Sequence, residues 1–161
     1  MKNPLLAICR QLALSRNRST LPTGLLPLSQ VHGAVVYVDA LAADEDPVNV
    51  CRAIRQFFDH QGIPVLILCP EKSDFNLLGY LRKRSRGSRE SLQEELFISL
   101  AGSPECFAAE YEARCSTARF KVGRFKLTGD VFDLVVDTPE SGEATQEAVF
   151  AAIKDYLGKI R

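Results

Sequence analysis

AVVYVD, residues 34–39, is an unbroken apolar run with three valines that closes on an acid. A strand covered on both faces reads this way, whereas a strand with one wet face alternates apolar and polar residues. PVLILCP, residues 64–70, repeats the pattern. The chain between them has a different period. Val50, Ala53, Ile54, Phe57 and Phe58 fall on one face of a helix over residues 47–60, Pro47 suits its first turn, and Gln61 and Gly62 stop it. Strand, helix, strand in that order predicts a right-handed crossover and parallel pairing.

The same alternation continues downstream. LFISL (96–100) reads as a strand, residues 105–115 as a helix with Phe107, Ala108 and Tyr111 facing inward, and VFDLVVD (131–137) as the last strand. ARFKV (118–122) alternates, and a closing helix over about residues 143–160 carries a broad apolar stripe. Residues 74–90 turn basic after a short apolar start and read as a solvated loop. The expected fold is α/β, a three-layer sandwich with a mainly parallel, Rossmann-like sheet of about five strands and an N-terminal amphipathic helix. Residues 1–30 are read as that helix and a linker, and residues 31–161 as a single α/β domain. A strand order of 3-2-1 or similar is expected, with Ala34, Val36, Phe57, Leu66, Phe120, Leu134, Val149 and Ile153 in one core.

Composition bounds the function. A chain of 161 residues, 46% hydrophobic, is long enough for one sizeable core, and twenty Lys plus Arg balance twenty Asp plus Glu. That balance gives no global drive toward nucleic acid or acidic membranes, so any electrostatic role is local. Cys9, Cys51, Cys69, Cys106 and Cys115 form an odd set without a C-x-x-C pair, as expected of buried thiols in a reducing cytoplasm. Near the N-terminus, Arg10 and Gln11 interrupt the apolar run too early for a signal peptide or a transmembrane span. Leu5, Cys9, Leu12 and Ala13 recur there at helical spacing.

The stretch CSTARFKVGRF, with VFDLVVDT and a terminal helix carrying AAIKDYL, resembles a family of small Bacteroidota-type α/β proteins known as a domain of unknown function. The resemblance covers residues 31–160, and its most specific part is ARFKVG, 118–123. It carries no activity with it. LFISL through ARFKVG also looks like part of the N-terminal half of heptosyltransferase-like glycosyltransferases, although the chain lacks their second, nucleotide-sugar-binding half.

Open parallel sheets bind ligands beyond the carboxyl ends of their strands, which makes Asp39 and Asp137 the candidate strand-end ligand site. The turn after the first strand, DALAADEDP, has four acids and no glycine, so it neither admits nor attracts a pyrophosphate. Neither His32 nor His60 sits in a recognisable nucleophile motif, and no catalytic residue or metal site is assigned. The cofactor is unknown.

Charge segregation remains. Extended ARFKV would turn Ala118, Phe120 and Val122 one way and Arg119 and Lys121 the other, with Gly123 permitting a turn toward Arg124. Arg119, Lys121 and Arg124 are therefore candidate anion or partner ligands. Thirteen of the twenty basic residues lie within 1–20, 82–89 and 119–126, and at least two of these segments are expected to converge. The leading reading is a cytoplasmic, non-enzymatic interaction module with a basic surface for an acidic protein or small anion. The alternatives are an enzyme, intact or degenerate, acting on a phosphorylated or nucleotide-sugar-like molecule, and, less favoured, a nucleic-acid-associated protein.

Overall fold

Asp46 starts the first crossover helix of the sheet: its carboxylate accepts the Val48 N–H at 3.0 Å, and Pro47 fills a position whose own N–H would have no partner. Gly62 ends that helix at φ 69°, donating back to Asp59 and Phe58. In the computed structural model, which describes residues 3–42, 46–136 and 144–161, these caps bound α2 (Pro47–Gln61). The other elements are α1 (Pro4–Arg16), β1 (Ala34–Tyr37), β2 (Val65–Leu68), β3 (Leu96–Ser99), α3 (Phe107–Cys115), β4 (Phe120–Gly123), β5 (Leu134–Val135) and α4 (Gln146–Lys159).

All five strands are parallel, in the order β2-β1-β3-β4-β5. Ala34 stands between Val65 on one side and Leu96 on the other. The chain therefore reverses direction after β2 instead of continuing outward as 3-2-1 would. Burial accounts for the difference: every residue of β1 and β3 is buried, whereas Val65, Leu66 and Ile67 are only half-buried, so β2 is an edge. The result is a doubly wound, Rossmann-like α/β sandwich with its reversal point between β1 and β3.

The sheet separates two cores. Ala34, Val36 and Val38 face α2 and α4, where they meet Ile54, Phe58, Val149 and Ile153. Val35 and Tyr37 face α3 and meet Ala109 and Ala113. Of the residues expected in one core, Ala34, Val36, Phe120, Val149 and Ile153 share the first, Phe57 and Leu134 pack at its margin, and Leu66 lies on the opposite face. No α-helix joins β2 to β3; the connecting segment, with three short 3-10 turns, lays Phe75, Leu81 and Leu92 over the α3 face in its place.

Two local expectations are corrected. In α1, Leu14 is the buried residue, and Leu5, Ile8, Cys9 and Leu12 face solvent. The helix is held by Arg10, whose guanidinium lies 4.9 Å from the centre of the Phe107 ring and donates through Nε to the Leu78 carbonyl at 3.0 Å. Gly123 does not make a turn. It ends β4, where a Cβ would stand 2.2 Å from the Phe132 ring.

Candidate partner-binding site

Asp39 stands at the carboxyl end of β1, beside the reversal point, and its carboxylate already has structural partners. One oxygen accepts the Leu41 N–H at 3.1 Å and the other accepts the Gly102 N–H at 3.0 Å, so the loop after β1 is tied to the loop after β3. Gln146, fully buried at the start of α4, completes the tie: its side-chain carbonyl accepts the Asp39 N–H and its NH2 donates to the Asp39 carbonyl, both at 2.9 Å. Asp137, the other proposed strand-end ligand, lies outside the described residues. Next to the tie a cavity of about 10 Å³ opens between Ser99, Cys106 and Arg124, room for a single water. Burial pushes the Cys106 thiol above its usual range. Among the described residues no group of three His, Cys, Asp or Glu side chains could hold a metal ion.

The three basic candidates of ARFKVGR do not form one site. Arg119 is exposed just before β4 and Arg124 follows its other end, where it donates to the Ala144 carbonyl. Lys121 is buried, 4% exposed, and its ammonium donates to the Ala113 carbonyl at 2.9 Å. Burial lowers its pKa. The strand alternates as expected, but α3 covers the side on which Lys121 lies.

Convergence occurs elsewhere, at the carboxyl end of α3. A groove of about 630 Å³ runs between α3 and residues 83–94, lined by Lys83, Arg86, Arg89, Tyr111, Glu112 and Thr117. A second depression of about 470 Å³, lined by Arg16, Arg18 and Thr20, shares Cys115 and Thr117 with it. Arg16 and Arg18 are placed there by the end of α1 and by the Ser19 N–H, which donates to the Arg114 carbonyl at 2.9 Å. Two of the three basic segments thus meet across Thr117.

The groove floor is an ionic lattice. Arg89 donates through Nε and Nη2 to Glu94, both at 2.8 Å, and through Nη1 to Glu112 at 2.5 Å. Burial disfavours the Arg89 cation, but the two carboxylates outweigh it and hold its pKa above the usual value. Ser116 donates to Glu94 as well. The Arg86 Nη2 stands 3.0 Å from Glu112 Oε1 as an ion pair, yet the contact is too poorly directed for a hydrogen bond, and the buried Arg86 Nε has no hydrogen-bond partner among the described residues. Across both depressions five cations face Glu90, Glu94 and Glu112, and Arg16, Arg18 and Lys83 make no ion pair among the described residues.

Residues 16–18 and 83–89 were legible as basic runs; Tyr111, expected to face inward, is half-buried and lines the groove, and Thr117 carried no signal of its own. No family model, curated protein or solved structure matches this chain.

Proposed function

We propose that this chain is a non-enzymatic interaction module that receives an acidic segment of a partner protein in the basic groove at the end of α3. The observation that carries the reading is the meeting of Arg16 and Arg18 with Lys83 and Arg86 across Thr117, and of these Arg16, Arg18 and Lys83 make no ion pair among the described residues. Exposed, like-signed side chains in a depression attract an opposite charge and speed its encounter, and salt screens them over about 8 Å at physiological ionic strength. Tyr111 adds an apolar wall with a hydroxyl, the kind of surface that peptide segments use. The carboxyl-end cavity supports no enzyme reading, because it has room for a single water and its best acid, Asp39, is engaged by backbone amides. Five cysteines without a disulfide support a reducing, cytoplasmic setting.

The test is fluorescence anisotropy with a labelled decaglutamate peptide. The protein should bind it at low ionic strength, about 20 mM, and release it progressively as salt rises. Arg18→Glu with Lys83→Glu should weaken binding by on the order of 10-fold or more with the melting temperature unchanged, since both side chains lie at the exposed rim. Absence of binding at low salt, or equal affinity in the double variant, refutes the reading.

A further inference from the structure

The outer face of α1 is apolar and uncovered. Leu5, Ile8 and Leu12 recur at i, i+3 and i+7, which stacks them along one side of the helix, and they are 71%, 57% and 46% exposed. The opposite side, through Arg10 and Leu14, is the one that packs on the domain. Beside α1 the turn of residues 76–79 is clamped to Arg10 through the Leu78 carbonyl, and it displays Leu77 fully exposed and Leu78 half exposed. Leu21 and Leu25 follow in the next segment, also exposed. Seven of the ten large apolar side chains most exposed in the described structure thus belong to α1, its continuation and this one turn. Clustering of that kind marks a contact surface, whereas single exposed leucines are ordinary.

We infer that α1 attaches the protein to the surface of an anionic lipid bilayer, with Leu5, Ile8 and Leu12 entering the headgroup boundary and Leu77 as a second insertion point. Charge selects the occupant. The sequence carries Lys2, Arg10, Arg16 and Arg18 and no acid before Asp39, and Arg16 and Arg18 are exposed at the end of the helix. A second copy of the same face would oppose these cations with their own kind. Leu5, Ile8 and Leu12 form a ridge of side chains along the helix, and a fluid bilayer accommodates it without supplying a matching groove. Thirteen residues give a helix of about 20 Å, shorter than the hydrocarbon core, and no described helix is long and apolar enough to cross a membrane. The helix therefore lies on the bilayer. The attachment goes beyond the groove reading: the apolar contact is made by Leu5, Ile8, Leu12 and Leu77, none of which lines the groove, while Arg16 and Arg18 lie between the two surfaces and serve both.

Flotation with vesicles tests it. The whole chain should float with phosphatidylcholine vesicles containing about one-third phosphatidylglycerol and stay unbound with phosphatidylcholine alone. Ile8→Gln with Leu12→Gln should lower the partition coefficient by on the order of 10-fold. The same double variant should keep its melting temperature and its affinity for decaglutamate, which separates loss of the ridge from loss of the groove. The chain contains no tryptophan, so Leu12→Trp provides a single reporter whose emission should shift to the blue on anionic vesicles. Failure of the wild-type protein to float, an unshifted Trp emission, or undiminished flotation of the double variant overturns the inference. So does a dimer in light scattering that the Gln substitutions dissociate, or decaglutamate binding that they abolish, since either result assigns the ridge to a protein.

Discussion

Glu95 is a single carboxylate on which two parts of the chain depend. It is buried just before β3 and accepts both the His32 N–H, at 2.7 Å, and the His32 Nδ1, at 2.8 Å. Burial alone would raise its pKa, but the two bonds from His32 outweigh burial and hold it below the usual carboxylate range. A carboxyl depressed in the folded state stabilises the protein above its unfolded pKa, and that contribution is lost as pH falls through the folded value. Glu95→Gln should therefore lower stability by about 1–2 kcal/mol at neutral pH. Urea unfolding at neutral pH and near pH 3.5 should show the gap between variant and wild type closing. A gap that stays constant would mean that the charge of Glu95 contributes nothing. Gly123 makes a second test at this scale: Gly123→Ala drives a methyl into the Phe132 ring and should cost about 1–3 kcal/mol, read from the shift of the urea midpoint.

At the scale of elements, α4 is coupled to the sheet through one side chain. Gln146 satisfies both backbone groups of Asp39, so Gln146→Leu leaves a buried donor and acceptor unpaired and should cost about 2–4 kcal/mol in thermal or urea unfolding. A loss below about 1 kcal/mol would show that water replaces the amide. The strands buried on both faces were legible as continuous apolar runs, since a short run of β-branched and aliphatic residues with no polar break suits a strand that never meets water. The packing face of α1 was misread: the helical spacing of Leu5, Cys9, Leu12 and Ala13 picks out a side that is mostly exposed, because apolar residues surround most of that helix and Leu14 packs from the other side. The buried position of Lys121 was hidden for a related reason: alternation places it opposite Phe120 and Val122, but only the tertiary structure shows that α3 covers that side. The two-residue β5 is shorter than the stretch 131–136 around it: Leu134 and Val135 are in register with Val122 and Gly123, and the flanking Asp133 and Val136 N–H groups donate to the Lys121 and Gly123 carbonyls.

Across the whole molecule, the groove requires the segment between β2 and β3 to be held without an α-helix, and Arg89 ties it to α3. Arg89→Met would leave Glu94 and Glu112 without their main counter-charge and should destabilise the protein by about 3–5 kcal/mol. Lys83→Met, at the exposed rim, should change stability by less than about 0.5 kcal/mol. Equal effects in calorimetry would mean that Arg89 carries no more structural weight than a surface cation. The basic runs themselves were legible. Their division into a neutralised floor and a free rim was not, because it depends on Glu112 arriving from α3 and on the segment turning Glu94 back onto Arg89.

The central place of β1, between β2 and β3, also sets an order of events during synthesis. A nascent chain that has emerged only through β2 can pair β1 along one edge; the other edge waits for Leu96 and its neighbours. During that interval an apolar strand with free backbone donors and acceptors is a template for another chain. A fragment of residues 1–70 should therefore self-associate in sedimentation, and one extended to residue 136, carrying β3 to β5, should sediment as a smaller species. The reversal of direction that builds the sheet thus makes the late arrival of β3 the step at which a chaperone would be most effective.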